Sequence, residues 1–215
     1  MDINVFRSWI TSAAEVIETN RDHLTQLDAA IGDADHGINL SRGFTAVLAA
    51  LDAKQPATPG AVLIVTGSTL ISKVGGASGP LYGMAFRRAG QTLGTADEVD
   101  LPALGQALDA ALAGIQQLGA AREGDKTLVD ALAPATRALA KAIAEGATQG
   151  DALDAVTAAA AEGAAATVSM EARKGRASYL GPRSVGHEDP GAASTVLILA
   201  ALRDAAAGDA GAGAP

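Results

Sequence analysis

Apolar residues along this chain return mostly at intervals of three and four, the spacing of one face of an α-helix. Val5, Trp9, Ile10, Ala13, Val16, Ile17, Leu24 and Leu27 share such a face and predict a first helix over 2–27, with Asp2 or Asn4 as its cap. Leu40, Phe44, Val47, Leu48 and Leu51 predict a second helix over 38–53. Gln55-Pro56-Ala57-Thr58-Pro59-Gly60 then breaks the pattern, and Thr58 ahead of Pro59 has the order of a cap followed by a first turn. The stretch 61–73 is ambiguous, because Ala-Val-Leu-Ile-Val could be a buried strand. No second strand of comparable quality occurs, and one strand cannot make a sheet, so a buried helix is expected there.

Leu81, Met84, Ala85 and Leu93 mark a fourth helix, and Leu104, Leu108, Leu112 and Ile115 a fifth over 101–118. A sixth covers 128–145, with Pro134 in the early turns, where proline costs least. An Ala-rich seventh runs from a cap at Asp151 to about Ala172, and an eighth covers 192–203. The segment 173–190 has no period and reads as a long loop; 207–215 reads as a flexible tail beyond a single domain of 1–206. The expected fold is therefore all-α: eight helices, antiparallel because their connections are short. The loops after helices one, three, five and seven would then lie at one end, and these are the loops that carry polar chemistry.

Composition narrows the choice. With 16 Lys and Arg against 24 Asp and Glu, the net charge of −8 argues against nucleic acid or an anionic membrane as partner. The absence of cysteine excludes disulfides, thiolate zinc sites and thiol catalysis. Met-Asp-Ile-Asn-Val-Phe-Arg-Ser-Trp-Ile lacks the layout of a signal peptide, and the most apolar window, 60–71, is too short for a bilayer. A cytoplasmic protein is expected. Aromatics make up only 3% of the chain, so the core must be built from Ala, Leu, Val and Ile.

The first polar loop holds Asp28, Asp33 and Asp35 within eight residues, interleaved with Gly32, His36 and Gly37. Carboxylates brought this close repel unless a cation or protons neutralise them. Their hard oxygens suit Mg²⁺ or Ca²⁺, and Mg²⁺ commonly shares its shell between carboxylates and phosphates. Any one aspartate could simply cap a helix; the cluster with its glycines favours a metal–phosphate site. Gly75-Gly-Ala-Ser-Gly-Pro80 ahead of a helix would expose backbone N–H groups to an anion, or Ser78 could cap the helix and no more. Gly119-Ala-Ala-Arg-Glu-Gly-Asp-Lys-Thr127 nearly matches a P-loop, but Asp125 is inserted and no strand precedes it. Lys126 is expected to begin a helix. Arg173, Lys174, Arg176, Arg183 and His187 make the 173–190 segment basic in an acidic chain, as a lid over an anion would be.

Four stretches in order, LDAAIGDADHGINLSRGF, GGASGPLYG, GDKTLVDAL and RKGRASYLGPRSVGHEDPGAAST, resemble the L subunit of dihydroxyacetone kinase, its nucleotide-binding half. The resemblance spans nearly the whole chain; where the family usually has Gly between the two loop aspartates, Ala34 stands here, a change expected to be mild. It implies a barrel of eight antiparallel helices with ADP or ATP and two Mg²⁺ ions at one end. By matched position Asp28, Asp33 and Asp35 would hold metal, with His36 and Asn39 beside the phosphates. Ala77 and Ser78 would contact the phosphates, Gly119 and Leu128 would border the nucleotide, and Arg176 with Asp189, Pro190 and Gly191 would close over it. The implied partners are a K subunit that holds dihydroxyacetone and a phosphohistidine protein that rephosphorylates resident ADP; a homodimer is left open. A split ATP-dependent kinase for this or another short ketose, and a non-catalytic Mg²⁺-nucleotide sensor, are the other readings.

Overall fold

The computed structural model describes residues 1–212, with side chains described to residue 208. Every regular element among them is helical: α1 Ile3–Thr19, α2 Arg21–Ile31, α3 His36–Lys54, α4 Pro59–Lys73, α5 Ser78–Leu93, α6 Leu101–Gly119, α7 Val129–Ala144, α8 Gln149–Ala166 and α9 Pro190–Ala212. Short 3-10 stretches cover Thr167–Ser169 and Arg176–Ser184. From α3 to α9 each helix packs on the one before it; α3 and α9 both also pack on α1.

Phe6, Ile10, Phe44, Leu63, Leu70, Leu104 and Leu139 are among the largest fully buried side chains of the single main core. Trp9 stacks edge-on near Phe6 and tilts against Phe86, while its indole N–H donates to the Ile198 carbonyl at 2.8 Å. With few aromatics, close backbone approach does the rest. A Cβ on Gly67 would lie 2.4 Å from the Gly83 carbonyl, and one on Gly90 2.5 Å from that of Gly60, so α4 and α5 meet through their glycines. The stretch 61–73 is helical as expected: Thr58 accepts the Ala61 N–H at 3.2 Å and Pro59 opens the first turn.

Several boundaries differ from the pattern. The expected first helix is two, separated at Asn20, whose side-chain amide donates back to the Val16 carbonyl at 2.8 Å. A one-residue break in the polar run 18–23 leaves the apolar face on either side unchanged, so periodicity could not register it. The seventh predicted helix starts at Gln149 with Thr148, not Asp151, as its cap, and stops at Ala166 rather than near Ala172. Lys126 does not begin a helix: it has φ +60° and α7 starts three residues later. The 173–190 segment is not a bare loop, since Arg176–Ser184 winds into 3-10 turns kinked at Gly181. The last helix continues to Ala212, so 207–212 of the expected tail are helical, and 213–215 lie outside the described residues. By length and hydropathy Pro190–Gly208 could cross a membrane, but it buries Ile198, Leu199 and Leu202 against α1 and α8, as a core helix does.

Candidate functional site

A cleft of about 280 Å³ opens where α2 and α6 end and α3, α5, α7 and α9 begin. Asp28, on the last turns of α2, is buried, and its Oδ2 accepts the N–H groups of Asp35 (2.8 Å) and His36 (3.2 Å). The loop between the helices is thus folded around one carboxylate. Gly32 makes this possible, because a Cβ there would lie 2.0 Å from Asp28 Oδ1. Folded so, one oxygen from each of Asp28, Asp33 and Asp35 lies within 4.8 Å of the others. That separation and donor set fit a small hard cation.

Ala34, between two of these aspartates, has φ +60°. The left-handed region costs a residue with a Cβ about 1–2 kcal/mol. The Gly-to-Ala difference expected to be mild therefore carries backbone strain, which only the loop's geometry reveals.

The first turns of three helices face the cleft, and among them only that of α5 has no side-chain partner: the His36 N–H of α3 goes to Asp28, and the Val129 N–H of α7 goes to Thr127 Oγ1 at 3.2 Å. Asp35, Ala77 and Leu128 precede α3, α5 and α7, and none of their side chains bonds the exposed N–H groups. Ser78 is the first residue of α5, not its cap; its hydroxyl reaches only the Gly75 carbonyl, at 3.5 Å. Uncapped N-termini leave N–H groups and positive dipole ends to an anion. α9 differs: Asp189 Oδ2 accepts the Ala192 N–H at 2.7 Å. The cleft pushes the Asp189 carboxyl up to about 7, chiefly by desolvation, against the opposing pull of that bond and of Lys126.

The Gly119–Thr127 loop is held from within. Asp130 accepts the N–H groups of Gly124 (2.5 Å) and Thr127 (2.8 Å). Lys126 is 1% exposed, and its ammonium donates to the carbonyls of Thr167, at 2.6 Å, and His187. Burial lowers its proton affinity, and Asp189, Asp130 and Glu188 offset this in part. A lysine whose donors are taken up by main-chain carbonyls is a strut between the loop, the end of α8 and the lid. It is not a P-loop lysine.

The lid segment is anchored by a small apolar cluster of Ile31, Ala172 and Ala177, with Leu180 packed on it. Arg176 Nε lies 2.8 Å from Asp33 Oδ2, so the lid sets a cation directly against the acidic loop. His187 is exposed and contributes its carbonyl to Lys126.

Of the residues singled out from the sequence, Asp28, Asp33, Asp35, His36, Ala77, Ser78, Gly119, Leu128, Arg176, Asp189, Pro190 and Gly191 all line this cleft. Asn39 does not: it is buried one turn behind His36, where its Oδ1 accepts from Arg42 at 2.8 Å, and it faces the Gly75 turn. Leu81, Ile115, Leu128 and Ala121 give the cleft an apolar side. Periodicity missed Tyr82 and Ser194. Tyr82 lines the cleft, and its hydroxyl bonds Ser194 Oγ at 2.7 Å; Ser194 Oγ lies 2.9 Å from His36 Nε2. The signal was available: Tyr82 is one of only two tyrosines, and the Ser194-Thr195 pair interrupts the apolar run 192–202. Burial lowers the His36 value to about 4, opposed by the Asp28 charge, and raises that of the Tyr82 phenol.

Comparison with known proteins finds relatives over nearly the whole chain. The DAK2 domain model matches residues 30–204. The chain is 42% identical over 199 residues to the ADP-binding subunit DhaL of the PEP-dependent dihydroxyacetone kinase of Escherichia coli K12, covering 93% of this chain and 95% of that one. It is 37% identical to the ADP-binding subunit DhaL of the PTS-dependent dihydroxyacetone kinase of Lactococcus lactis, covering 96% and 100%. The triokinase/FMN cyclase of Bos taurus shares 38% identity over 84% of this chain but 31% of its own length. Among solved structures, the dihydroxyacetone kinase of C. freundii in complex with AMP-PNP and Mg²⁺ superposes with a TM-score of 0.68 at 27% identity, over 92% of this chain and 33% of that one.

Proposed function

The chain belongs to the DAK2 domain family, and from that premise we propose that it is the ADP-binding subunit of a phosphoenolpyruvate-dependent dihydroxyacetone kinase. The observation that carries this reading is the gathering of three carboxylate oxygens within 4.8 Å in a cleft onto which the uncapped N-terminus of α5 opens. Phosphoryl transfer asks a protein mainly for positioning and charge stabilisation, and these are the parts present.

In this reading Asp28, Asp33 and Asp35 hold two Mg²⁺ ions, whose chemistry is to neutralise the polyphosphate and polarise its oxygens. His36 lies beside the phosphates, and the first turn of α5, through the N–H groups at Ala77 and Ser78, receives their oxygens. Asn39 supports them by way of the Gly75 turn. Gly119, Leu128 and the apolar side of the cleft seat the base. Arg176 pairs with Asp33 in the free protein and brings a cation to the transferred group, while Asp189, Pro190 and Gly191 close the edge. As the family resemblance implies, dihydroxyacetone and the base that activates its hydroxyl belong to a separate K subunit. The phosphoryl donor is a phosphohistidine protein that recharges ADP in place. The ring of helices described above supports an eight-membered antiparallel barrel, counting α1 with α2, and the reading places the protein in the cytoplasm.

The test is direct. ADP retained through purification, measured by native mass spectrometry, together with turnover on adding a K subunit, dihydroxyacetone and a phosphohistidine donor, is the expected result. Turnover only with added ATP would replace this reading with a split ATP-dependent kinase. Bound nucleotide without turnover under either donor would make the protein a sensor.

A further inference from the structure

Behind the acidic loop lies a set of buried hydroxyls that the proposed reaction leaves unused. Tyr82 on α5 and Ser194 and Thr195 on α9 are all less than a tenth exposed. The Tyr82 hydroxyl is 2.9 Å from the Gly191 carbonyl, 2.7 Å from Ser194 Oγ and 2.9 Å from Thr195 Oγ1. Ser194 Oγ is 2.9 Å from His36 Nε2, across two elements far apart in sequence. The other ring nitrogen, Nδ1, has no partner among the described residues and is not sealed from solvent, and the ring lines the cleft.

Counting protons shows what this set can do. A carbonyl only accepts, and Thr195 Oγ1 can supply Gly191 at 2.8 Å. Tyr82 is then free to donate to Ser194, and Ser194 to His36 Nε2. A neutral imidazole has one ring proton, so an accepting Nε2 leaves it on Nδ1, the ring nitrogen without a protein partner. In the opposite sense Nε2 donates to Ser194, Ser194 to Tyr82 and Tyr82 to Gly191, and Nδ1 becomes an acceptor. Ser194 can also donate to the Gly191 carbonyl at 3.1 Å, which again leaves Nε2 as the donor; each arrangement satisfies every hydroxyl. A phosphate oxygen beside Nδ1 can only accept, and so selects the first.

We propose that Tyr82 and Ser194 are positioning residues of the nucleotide site, holding the His36 ring by Nε2 so that Nδ1–H is presented to a phosphate oxygen of a bound nucleoside diphosphate. The inference rests on the nucleotide-binding reading for its ligand, but the Ser194–His36 bond stands on the geometry alone. Phenylalanine would fill the Tyr82 position equally well; the hydroxyl is there for the hydrogen bonds.

The experiment is ¹⁵N chemical-shift measurement on the full chain labelled at histidine, with and without Mg²⁺ and ADP, alongside calorimetry. Only three histidines are present, and His23→Gln and His187→Gln assign the spectrum. In the wild-type complex Nδ1 should carry the proton. Ser194→Ala should shift the His36 ring signals in the free protein, mix the two tautomers in the complex and weaken ADP about tenfold, the scale of one hydrogen bond to a charged group. Ser194→Thr should restore both readouts, and Tyr82→Phe, which removes one oxygen and keeps the packing, should fall between. If Ser194→Ala does not fold, Tyr82→Phe carries the same readout. Unchanged His36 ring signals in the free variants, or Nε2 protonated in the wild-type complex, would overturn the proposal. If the wild type failed to bind Mg²⁺ and ADP, the functional reading would fall, and the free-protein signals would still decide whether Ser194 holds the ring.

Discussion

The two ends of the molecule begin their helices differently. At the end away from the cleft, α1, α4, α6 and α8 each start under a side-chain cap, from Asp2, Thr58, Asp100 and Thr148. At the cleft, α5 starts without one, and α3 and α7 have one first-turn N–H each bonded by a side chain outside the cap position, from Asp28 and Thr127. A helix start without a partner is costly, so that of α5 is open to another group. One end uses its polar side chains to cap helices; the other leaves the first N–H groups of α5 and a cluster of carboxylates facing the cleft. α9 is the mixed case, capped by an aspartate that is itself in the cleft.

Removing a cleft carboxylate should break this contrast most. Asp33→Asn or Asp35→Asn should weaken Mg²⁺-dependent ADP binding by more than the roughly 10- to 100-fold typical of losing a group that only supports a metal ligand. The midpoint of thermal unfolding without metal should be nearly unchanged, since neither side chain is in the core. Calorimetry with and without Mg²⁺ checks it, and equal ADP affinity in variant and wild type would remove these residues from the site.

Lys126→Met tests whether the cleft end has any internal support of its own. It strands two carbonyls that the ammonium now satisfies, and should cost about 2–4 kcal/mol in urea unfolding, at about 1–3 kcal/mol per unsatisfied buried group. A loss below about 1 kcal/mol would mean that water takes over both carbonyls.

The mixed cap gives a pH signature. The Asp189 carboxyl sits near 7 in the folded protein against 3.8 ordinarily. Between those values the folded state holds a proton that the unfolded state has lost, so stability contributed by this group falls as pH rises from about 4 to 7 and is level above. Asp189→Asn keeps an acceptor for the Ala192 N–H and should flatten that part of the pH profile of the free protein's melting temperature. A profile identical to wild type would show that the carboxyl is ionised throughout.

Two milder substitutions separate the ends. Thr58→Ala should cost about 1 kcal/mol, the usual worth of such a cap, with ADP affinity untouched. Ala34→Gly should gain about 1 kcal/mol by relieving the positive φ, seen as a higher melting temperature. A lower one would mean that rigidity at this position outweighs strain.

Much of this was legible in the residues. Spacing of apolar side chains settled the helical class except at 61–73, whose β-branched run suggested a strand until the lack of any partner strand decided against it. The order of polar loops placed Asp28, Gly76–Ser78, Gly119 and Arg176 at one end before any coordinates, because alternate loops of an up-and-down chain must share an end. Local order also gave the Thr58 cap, since capping is a contact between neighbours in sequence.

What only the tertiary structure decided were relations that neighbours in sequence do not carry. The break at Asn20 and the early end of α8 leave the apolar period intact, so packing alone sets them. Asn39 and His36 sit three residues apart on one helix, yet only His36 reaches the cleft. The strut from Lys126 to Thr167 and His187, and the link from His36 through Ser194 to Tyr82, join segments 41 to 158 residues apart. Such contacts exist because the shared core fixes where each helix begins relative to the others, and a hydrogen bond forms only when that placement is right to a few tenths of an ångström.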